Sequence, residues 1–153
     1  MSFKMPIKRI RKKQLGQLLI DDGMISQQQL DKALKLQEEK DGLIGEILVD
    51  LGFVKEEDIA KALTMQYGFP YLPLSNYEID DEIINIIPGR VARQYLLVPI
   101  DRIQDNLSIA MSNPLNEQAI EDVELVSNCK VQIFVSTSSD IKGAIERYYK
   151  DKE

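Results

Sequence analysis

Two glycines and two glutamines recur at one spacing in this sequence, and they are the residues best suited to hold a ligand. Gly16 and Gly45 lie near the starts of two helical segments, and Gln37 and Gln66 end them. A glutamine amide can both donate and accept hydrogen bonds, as the edge of a nucleobase requires. A glycine lets a flat ligand or a second helix approach closely. The pattern therefore predicts either two equivalent half-sites for a ligand with two equivalent halves, or helix packing and capping alone.

The sequence lacks the residue sets that the common kinds of enzyme catalysis require. The 153 residues include no histidine and one cysteine, Cys129, so histidine-assisted nucleophiles and the usual zinc ligand sets are absent. No segment matches G-x-x-x-x-G-K-[ST], the phosphate-binding loop of nucleotide hydrolases. Neighbouring carboxylates, such as Asp21 with Asp22 and Asp80 with Asp81, are typical of solvated helix ends. The sequence thus predicts a protein that is not an enzyme and requires no cofactor.

The charges are divided unevenly along the chain. The net charge is −6, but residues 1–13 carry six basic residues and no acidic one, which leaves −12 for the remainder. Such a basic arm can attach to anionic lipid, a nucleotide phosphate or an acidic partner, or form a solvated, flexible leader. Duplex DNA binding is not expected, because the arm adjoins a strongly acidic body and no helix-turn-helix pattern is evident.

The apolar stretches of the sequence are short. None approaches the ~20 residues that a membrane-spanning helix needs. The basic N-terminal residues are not followed by the apolar segment and small-residue cleavage site of a secretory signal. We therefore expect a cytoplasmic protein, with the basic arm as a means of peripheral attachment to the inner face of the membrane.

A tandem repeat precedes residue 67. When the sequence is shifted by 29 positions, residues 15–37 align with residues 44–66, and eight of 23 positions are identical. The identical positions include two glycines and the terminal glutamine of each segment, which a chance alignment of two amphipathic helices would not match. A repeat of this kind indicates a duplicated supersecondary unit.

The first repeat predicts two helices joined by a turn. Apolar residues recur at helical spacing from Leu15, and Gly23 follows where a helix C-terminus needs a left-handed residue. Ser26, with Gln29 three residues later, predicts a capping box at the start of the next helix. The repeat therefore predicts a helical hairpin.

The second repeat keeps this pattern with one change. Gly52 occupies the turn position, but Lys55 replaces the capping serine. We expect this cap to be weaker, or to be formed by Glu56 or Asp58. The two repeats together predict a four-helix unit of two tandem hairpins.

The remainder of the chain mixes helical and extended patterns. Two prolines, Pro70 and Pro73, flank a short extended segment. After it, the pattern predicts a helix over 79–87, a turn of helix over 90–95, strands at 96–103 and 107–111 joined by a turn at 104–106, a helix beginning at Asn113-Pro114, a strand at 130–135, and a helix over 140–149 capped by Ser138 or Ser139.

The predicted fold class is α+β. We expect a flexible basic arm (residues 1–13), a duplicated helical-hairpin subdomain (14–69), a small α/β subdomain with a roughly three-stranded sheet (70–150), and a short tail (151–153).

These motifs carry a family resemblance. The repeated pattern LGxxLxxxGxIxxxxLxxALxxQ resembles the N-terminal, MshEN-type domain of type II secretion and type IV pilus assembly ATPases. The later segments YGFPYLPLSNYEID, IIPGRVARQYLLVPI and LSIAMSNPLNEQAIEDV look like the α/β part of the same family. The resemblance covers residues 14–150, and the family's ATPase core is not in this sequence.

The resemblance implies two activities. The first is docking onto an inner-membrane platform protein or an ATPase subunit of the secretion or pilus system. The second, known from one branch, is binding of cyclic di-GMP across the tandem motifs 14–37 and 43–66. On this resemblance the candidate ligand-binding residues are Gln14, Leu15, Gly16, Gln37, Leu43, Ile44, Gly45 and Gln66, with Lys13 beside them.

The first position of each motif departs from the cyclic di-GMP-binding branch. In that branch the position holds an arginine that reads a guanine edge, a contact worth roughly 1–3 kcal/mol. Here the matching residues are Gln14 and Leu43. Lys13 is the nearest substitute, but a lysine supplies charge without the planar guanidinium. We therefore expect protein docking to be the main function, with cyclic di-GMP sensing as the alternative.

Overall fold

The computed structural model describes residues 14–150. The predicted flexible arm at residues 1–13, including Lys13, and the tail at 151–153 lie outside the described residues. The described part contains eight helices and three strands, in the order α1 (Leu15–Asp21), α2 (Gln27–Lys40), α3 (Ile44–Asp50), α4 (Glu56–Tyr67), α5 (Asp81–Ile84), α6 (Gly89–Tyr95), β1 (Leu97–Ile103), β2 (Asn106–Met111), α7 (Glu117–Ser127), β3 (Lys130–Val135) and α8 (Ser138–Tyr148).

The turns inside both repeats have the predicted geometry. Gly23 and Gly52 adopt left-handed backbone angles, with φ of 76° and 79°. The amide of Met24 bonds the carbonyl oxygen of Leu19 at 2.9 Å, and its counterpart Phe53 bonds Leu48 at 3.0 Å. These bonds close the last helical turn, and glycine adopts such angles without the steric cost of a Cβ. The duplicated glycines therefore end α1 and α3 in the same way.

The second helices of the two repeats begin differently. The Ser26 hydroxyl accepts from the Gln29 amide at 3.1 Å, and the Gln29 side chain accepts from the Ser26 amide at 2.9 Å. This confirms the predicted capping box. Lys55 makes no side-chain cap at the start of α4. Of the two expected alternatives, the weaker cap is the one found, and the Glu56 carboxylate accepts from the Ser139 amide at 2.8 Å instead of capping α4.

The helix predicted over 79–87 is shorter than expected. Its α-helical part is Asp81–Ile84, and the next residues form tighter bonds, such as Ile86 to Ile83 at 3.1 Å. Pro88 follows directly, and a proline disfavours helical angles in the residue before it. The approaching proline thus ends this helix early.

Two helix starts were predicted at the wrong residues. The Asn113 side chain accepts from the Leu115 amide at 3.1 Å and builds a turn around Pro114. Asn116, rather than Asn113, then caps α7 through the Ala119 amide. At α8 the cap is Thr137, whose hydroxyl accepts from the Asp140 amide, and not Ser138 or Ser139. In both regions several residues can cap, and the surrounding turn selects one.

The three strands form one mixed sheet in the order β1-β2-β3. β1 and β2 pair antiparallel as the predicted hairpin, while β2 and β3 pair parallel with α7 as the crossover. Beyond β3, Tyr71 bridges Val135, so the short extended segment adds to this edge. The predicted three-stranded sheet of an α+β fold is confirmed.

Helices cover both faces of the sheet. One face presents residues such as Val98 and Ala110 to a core that includes Ile141 and Tyr149 of the α8 region. The other presents alternate residues of β2, Leu107, Ile109 and Met111, to a core that includes Ala119 and Val123 of α7. Because side chains alternate along a strand, one short sheet serves two separate cores.

A third core lies within the helical hairpins. Its buried members from α1 to α4 include Leu19, Leu48 and Leu63, each fully buried. Val135 at the end of β3 is also a member, and Leu115 packs against it. The hairpins therefore pack directly on the end of the sheet where β2 and β3 finish. Among the described residues, no helix is long and apolar enough to cross a membrane.

Candidate ligand and docking clefts

The first tandem motif lines an open cleft of about 730 Å³. Of the nine candidate residues predicted from the sequence, five lie in its wall: Gln14, Leu15, Gly16, Gln37 and Ile44. The remaining wall residues are Gln17, Leu30, Leu34, Asn113, Leu115, Asn116 and Glu117. The cleft has an apolar base, an amide-rich rim and a single acidic residue, which suits a planar ligand with hydrogen-bonding edges.

Gly16 lies directly against Leu30 where α1 packs on α2. A Cβ at this position would lie 2.7 Å from the Leu30 Cδ1, closer than two carbon atoms can approach. The glycine is buried together with Leu15, while Gln14 and Gln17 on either side are exposed. Helix packing therefore accounts for Gly16, and the cleft rim begins with the neighbouring glutamines.

Gln37 uses part of its hydrogen-bonding capacity inside the protein. Its Nε2 donates to the Gly42 carbonyl oxygen at 2.9 Å across the end of α2. This bond holds the turn between the repeats, where Gly42 has a φ of 116°. The side chain thus closes the helix end and lines the cleft at once.

Three second-motif candidates lie outside this cleft and contact other parts of the protein. Leu43 packs against the core between the sheet and α8. A Cβ at Gly45 would lie 3.1 Å from the Leu15 Cδ2, so α1 covers this glycine. The Gln66 Nε2 donates to the Asp22 Oδ1 at 3.1 Å. The structure therefore gathers the first-motif residues and Ile44 in one cleft, while Leu43, Gly45 and Gln66 lie elsewhere.

Sequence reasoning missed the contribution of the loop between β2 and α7. This loop brings Asn113, Leu115 and Asn116 to the cleft wall opposite the first motif. Its shape follows from the two asparagine caps, since Asn113 turns the chain and Asn116 starts the helix. The Asn-Pro-x-Asn pattern signals a turn, but nothing local in the sequence shows that the turn faces α1.

A second cleft of about 650 Å³ separates the second hairpin from α8. Its apolar floor consists of Val49, Phe53 and Val54. Its charged wall residues are Glu46, Asp50, Lys55, Glu56, Glu57, Asp58 and Lys142. None of the eight predicted site residues that the structure describes lines this cleft.

Two contacts tie the hairpin to α8 at this second cleft. Lys142 forms a salt bridge with Glu46, and the hydrogen bond between them raises the pKa of the lysine ammonium. The Glu56 carboxylate bonds the Ser139 amide at the start of α8. Within residues 14–150, no group of three or more histidine, cysteine or acidic side chains is arranged to hold a metal ion.

Known proteins resemble this chain over most of its described length. PilB of Myxococcus xanthus (strain DK1622), a type IV pilus assembly ATPase, is 35% identical over 138 residues, which is 90% of this chain and 24% of PilB. The chain therefore spans about a quarter of that relative. The structure of MshE with cdg (cyclic di-GMP) is 29% identical, with a TM-score of 0.66 over 90% of this chain and all of that one.

The fold and the family both follow from these comparisons. The N-terminal domain of XpsE has a TM-score of 0.72 over 89% of this chain and 94% of its own, and at 22% identity it shows the shared fold alone. The MshEN domain profile matches residues 67–153, which cover the α/β part rather than the repeat. Because this match covers more than half of the 153 residues, the chain belongs to the MshEN domain family, as the motifs predicted.

Proposed function

We propose that this chain is a non-catalytic docking and regulatory module of a type IV pilus or type II secretion ATPase system. Its partner is a platform protein at the cytoplasmic face of the inner membrane, or an ATPase subunit of the same system. The family membership and the 35% identity to PilB support this assignment to the system. The basic arm supports a position close to an anionic membrane surface.

One observation favours the docking function over the ligand-sensing function. Three of the four second-motif candidates already have intramolecular partners: Leu43 packs against a core, Gly45 lies under Leu15, and Gln66 donates to Asp22. A two-half ligand would need to displace these contacts. Protein docking needs no such rearrangement, because it uses the outer surface of the domain.

A binding assay with purified components tests the docking function. The full chain would be immobilised and exposed to the purified cytoplasmic part of the platform protein from the same system. We expect saturable binding, with amide-exchange protection on a contiguous surface of the chain, as an interface of about 1,200 Å² or more produces.

Two outcomes would contradict this function. One is the absence of binding to both the platform protein and the system's ATPase subunits at high micromolar concentrations. The other is hydrolysis of ATP by the purified chain above background, since the chain is proposed to be non-catalytic.

The alternative function is a cyclic di-GMP receptor. It is favoured by the amide-rimmed cleft of the first motif and by the 29% identity to MshE, whose structure was solved with this ligand. Gln37 and Gln14 at the rim can pair with a guanine edge. Calorimetric titration of the full chain measures this directly, and no heat at high micromolar ligand would exclude the receptor function.

A single substitution tests whether the ligand binds in the first cleft. Gln14 is exposed at the cleft, so Gln14→Arg places a guanidinium there and should tighten binding about tenfold or more. Gln132→Arg, on the exposed part of β3, adds the same charge away from the cleft and serves as the control. Leu43→Arg is less suitable, because it removes an apolar side chain that packs against a core. Equal effects of the two glutamine variants would mean that charge alone attracts the ligand.

A further inference from the structure

The second cleft combines an acidic wall with an apolar floor. Five carboxylates and two lysines line it, which gives a formal charge of −3. Lys142 and Glu46 neutralise one another, and Glu56 is held by the Ser139 amide. Asp50, Glu57 and Asp58 remain at its exposed rim. A cleft of this kind attracts a cationic segment that also carries apolar side chains.

The chain itself contains such a segment. Residues 1–13 carry six basic side chains and no acidic one. Phe3, Met5 and Ile7 alternate with other residues, and Ile10 follows among the basic ones. The half-buried Val49, Phe53 and Val54 offer these apolar residues a floor. Charge and hydrophobicity of the arm therefore complement those of the cleft.

The described part begins at Gln14, in the wall of the first cleft, so the arm starts there. The next residue, Leu15, packs on Gly45 at the start of α3, which leads towards the second cleft. Glu46, which follows Gly45 in the chain, is one of the wall residues of the acidic cleft. Thirteen residues can span roughly 45 Å when extended, so the cleft is within easy reach of the arm.

We infer that the acidic cleft between the second hairpin and α8 is the intramolecular docking site of the basic arm, residues 1–13. Val49, Phe53 and Val54 provide an apolar floor for its apolar side chains, and the exposed carboxylates of Asp50, Glu57 and Asp58 provide countercharges for its lysines and arginines. Docking withholds the basic residues from anionic surfaces, and release exposes them. Because the charge pairs lie at the surface, salt weakens this docking.

Limited trypsin digestion of the full chain tests the inference. Trypsin cleaves after lysine and arginine, so the arm is cut only while it is released. The Asp50→Asn, Glu57→Gln, Asp58→Asn triple variant should lose the arm about fivefold faster than the wild type at low salt, since proteolysis follows the population of the open form. At 1 M salt, where the screening length falls to about 3 Å, the two rates should converge.

A charge-matched variant controls for the altered net charge. Glu38→Gln, Glu39→Gln and Glu121→Gln remove the same three charges from exposed positions outside the cleft. This variant should be digested at the wild-type rate. Equal rates for wild type and cleft variant, or equal acceleration by both triple variants, would overturn the inference.

A second measurement does not depend on a protease. In amide NMR spectra of the full chain, the arm variant Lys4→Gln, Lys8→Gln, Arg9→Gln should shift signals of Phe53, Val54 and Glu57. Shifts confined to the arm, or centred on the cleft of Gln14 and Asn116, would refute the assignment. Shifts that grow with protein concentration would show that a second copy's arm fills the cleft, and would refute docking within one chain.

Discussion

Gln66 at the end of the second repeat donates a hydrogen bond to Asp22, which lies at the end of α1 in the first repeat. Its sequence equivalent, Gln37, instead donates to Gly42 a few residues along its own chain segment. The two glutamines are identical in type and position within the repeat, yet one joins the repeats and the other closes a turn. The duplication is therefore symmetric in its backbone turns and asymmetric in its polar contacts.

The Gln66–Asp22 contact should show a small coupling energy. Both side chains are exposed, so we expect about 0.5 kcal/mol in a double-mutant cycle of Gln66→Ala and Asp22→Ala. The free energy of unfolding in urea is the measurement. Gln37→Ala combined with Asp22→Ala should be additive, because these residues share no bond. Additivity in the Gln66 cycle would contradict the contact.

Two glycine-to-alanine substitutions should have opposite effects on stability. Nothing lies within 4 Å of a Cβ at Gly143 in the middle of α8, so Gly143→Ala should stabilise the protein by about 0.5–1 kcal/mol. Gly16→Ala forces a carbon against Leu30 and should destabilise it by about 1–2 kcal/mol. Thermal unfolding of both variants measures these stability changes. A stabilised Gly16→Ala protein would show that Leu30 moves aside freely.

The unequal caps of the two repeats predict a stabilising substitution. Lys55→Ser introduces the missing cap of α4 and should raise the unfolding free energy by about 0.5–1 kcal/mol. Ser26→Ala removes the existing capping box and should lower it by about 1 kcal/mol. Lys55→Ala separates the new cap from the loss of the lysine. Denaturant titrations in which serine and alanine at position 55 behave alike would refute the argument.

Tyr149 should make the protein sensitive to alkaline pH. Its buried hydroxyl lies 2.9 Å and 3.0 Å from the carbonyl oxygens of Ile84 and Ile87, and burial raises its pKa above the ordinary 10.0. Above pH 10 the unfolded chain loses this proton first, so the unfolding free energy falls by up to about 1.4 kcal/mol per pH unit. Below pH 10 the contribution of the neutral phenol is fully retained.

The Tyr149→Phe variant separates this effect from that of other titrating groups. It should cost about 1–2 kcal/mol at pH 7, because the one phenolic proton that the two carbonyl oxygens share is lost. Its unfolding free energy should then decline less steeply than that of the wild type between pH 10 and 11. Parallel pH profiles for the two proteins would show that the phenol is ionised as easily in the folded state as in the unfolded one.

Features set by contacts between near neighbours in the chain could be predicted from the sequence. The glycine turns at Gly23 and Gly52, the capping box of Ser26 and Gln29, and the β1–β2 hairpin all appear as expected. Each depends on bonds that span only a few residues, so the local sequence contains the necessary information. The helix starts near Asn113 and Ser138 were predicted at the wrong residues. Several adjacent residues there can cap a helix, and the turn geometry selects one of them.

The candidate sites depend on contacts between distant segments. Gln37 bonds Gly42 five residues further along the chain, whereas Gln66 bonds Asp22 at the end of α1, a partner that only the packing of the two repeats brings near. Packing of distant segments also places Leu43 against a core and brings Asn116 into the cleft that Gln14 lines. The sequence by itself determined the duplication, its turns and the family. The tertiary structure decided which candidate residues line a cleft, because only the folded chain brings the β2–α7 loop to the first hairpin and α8 to the second.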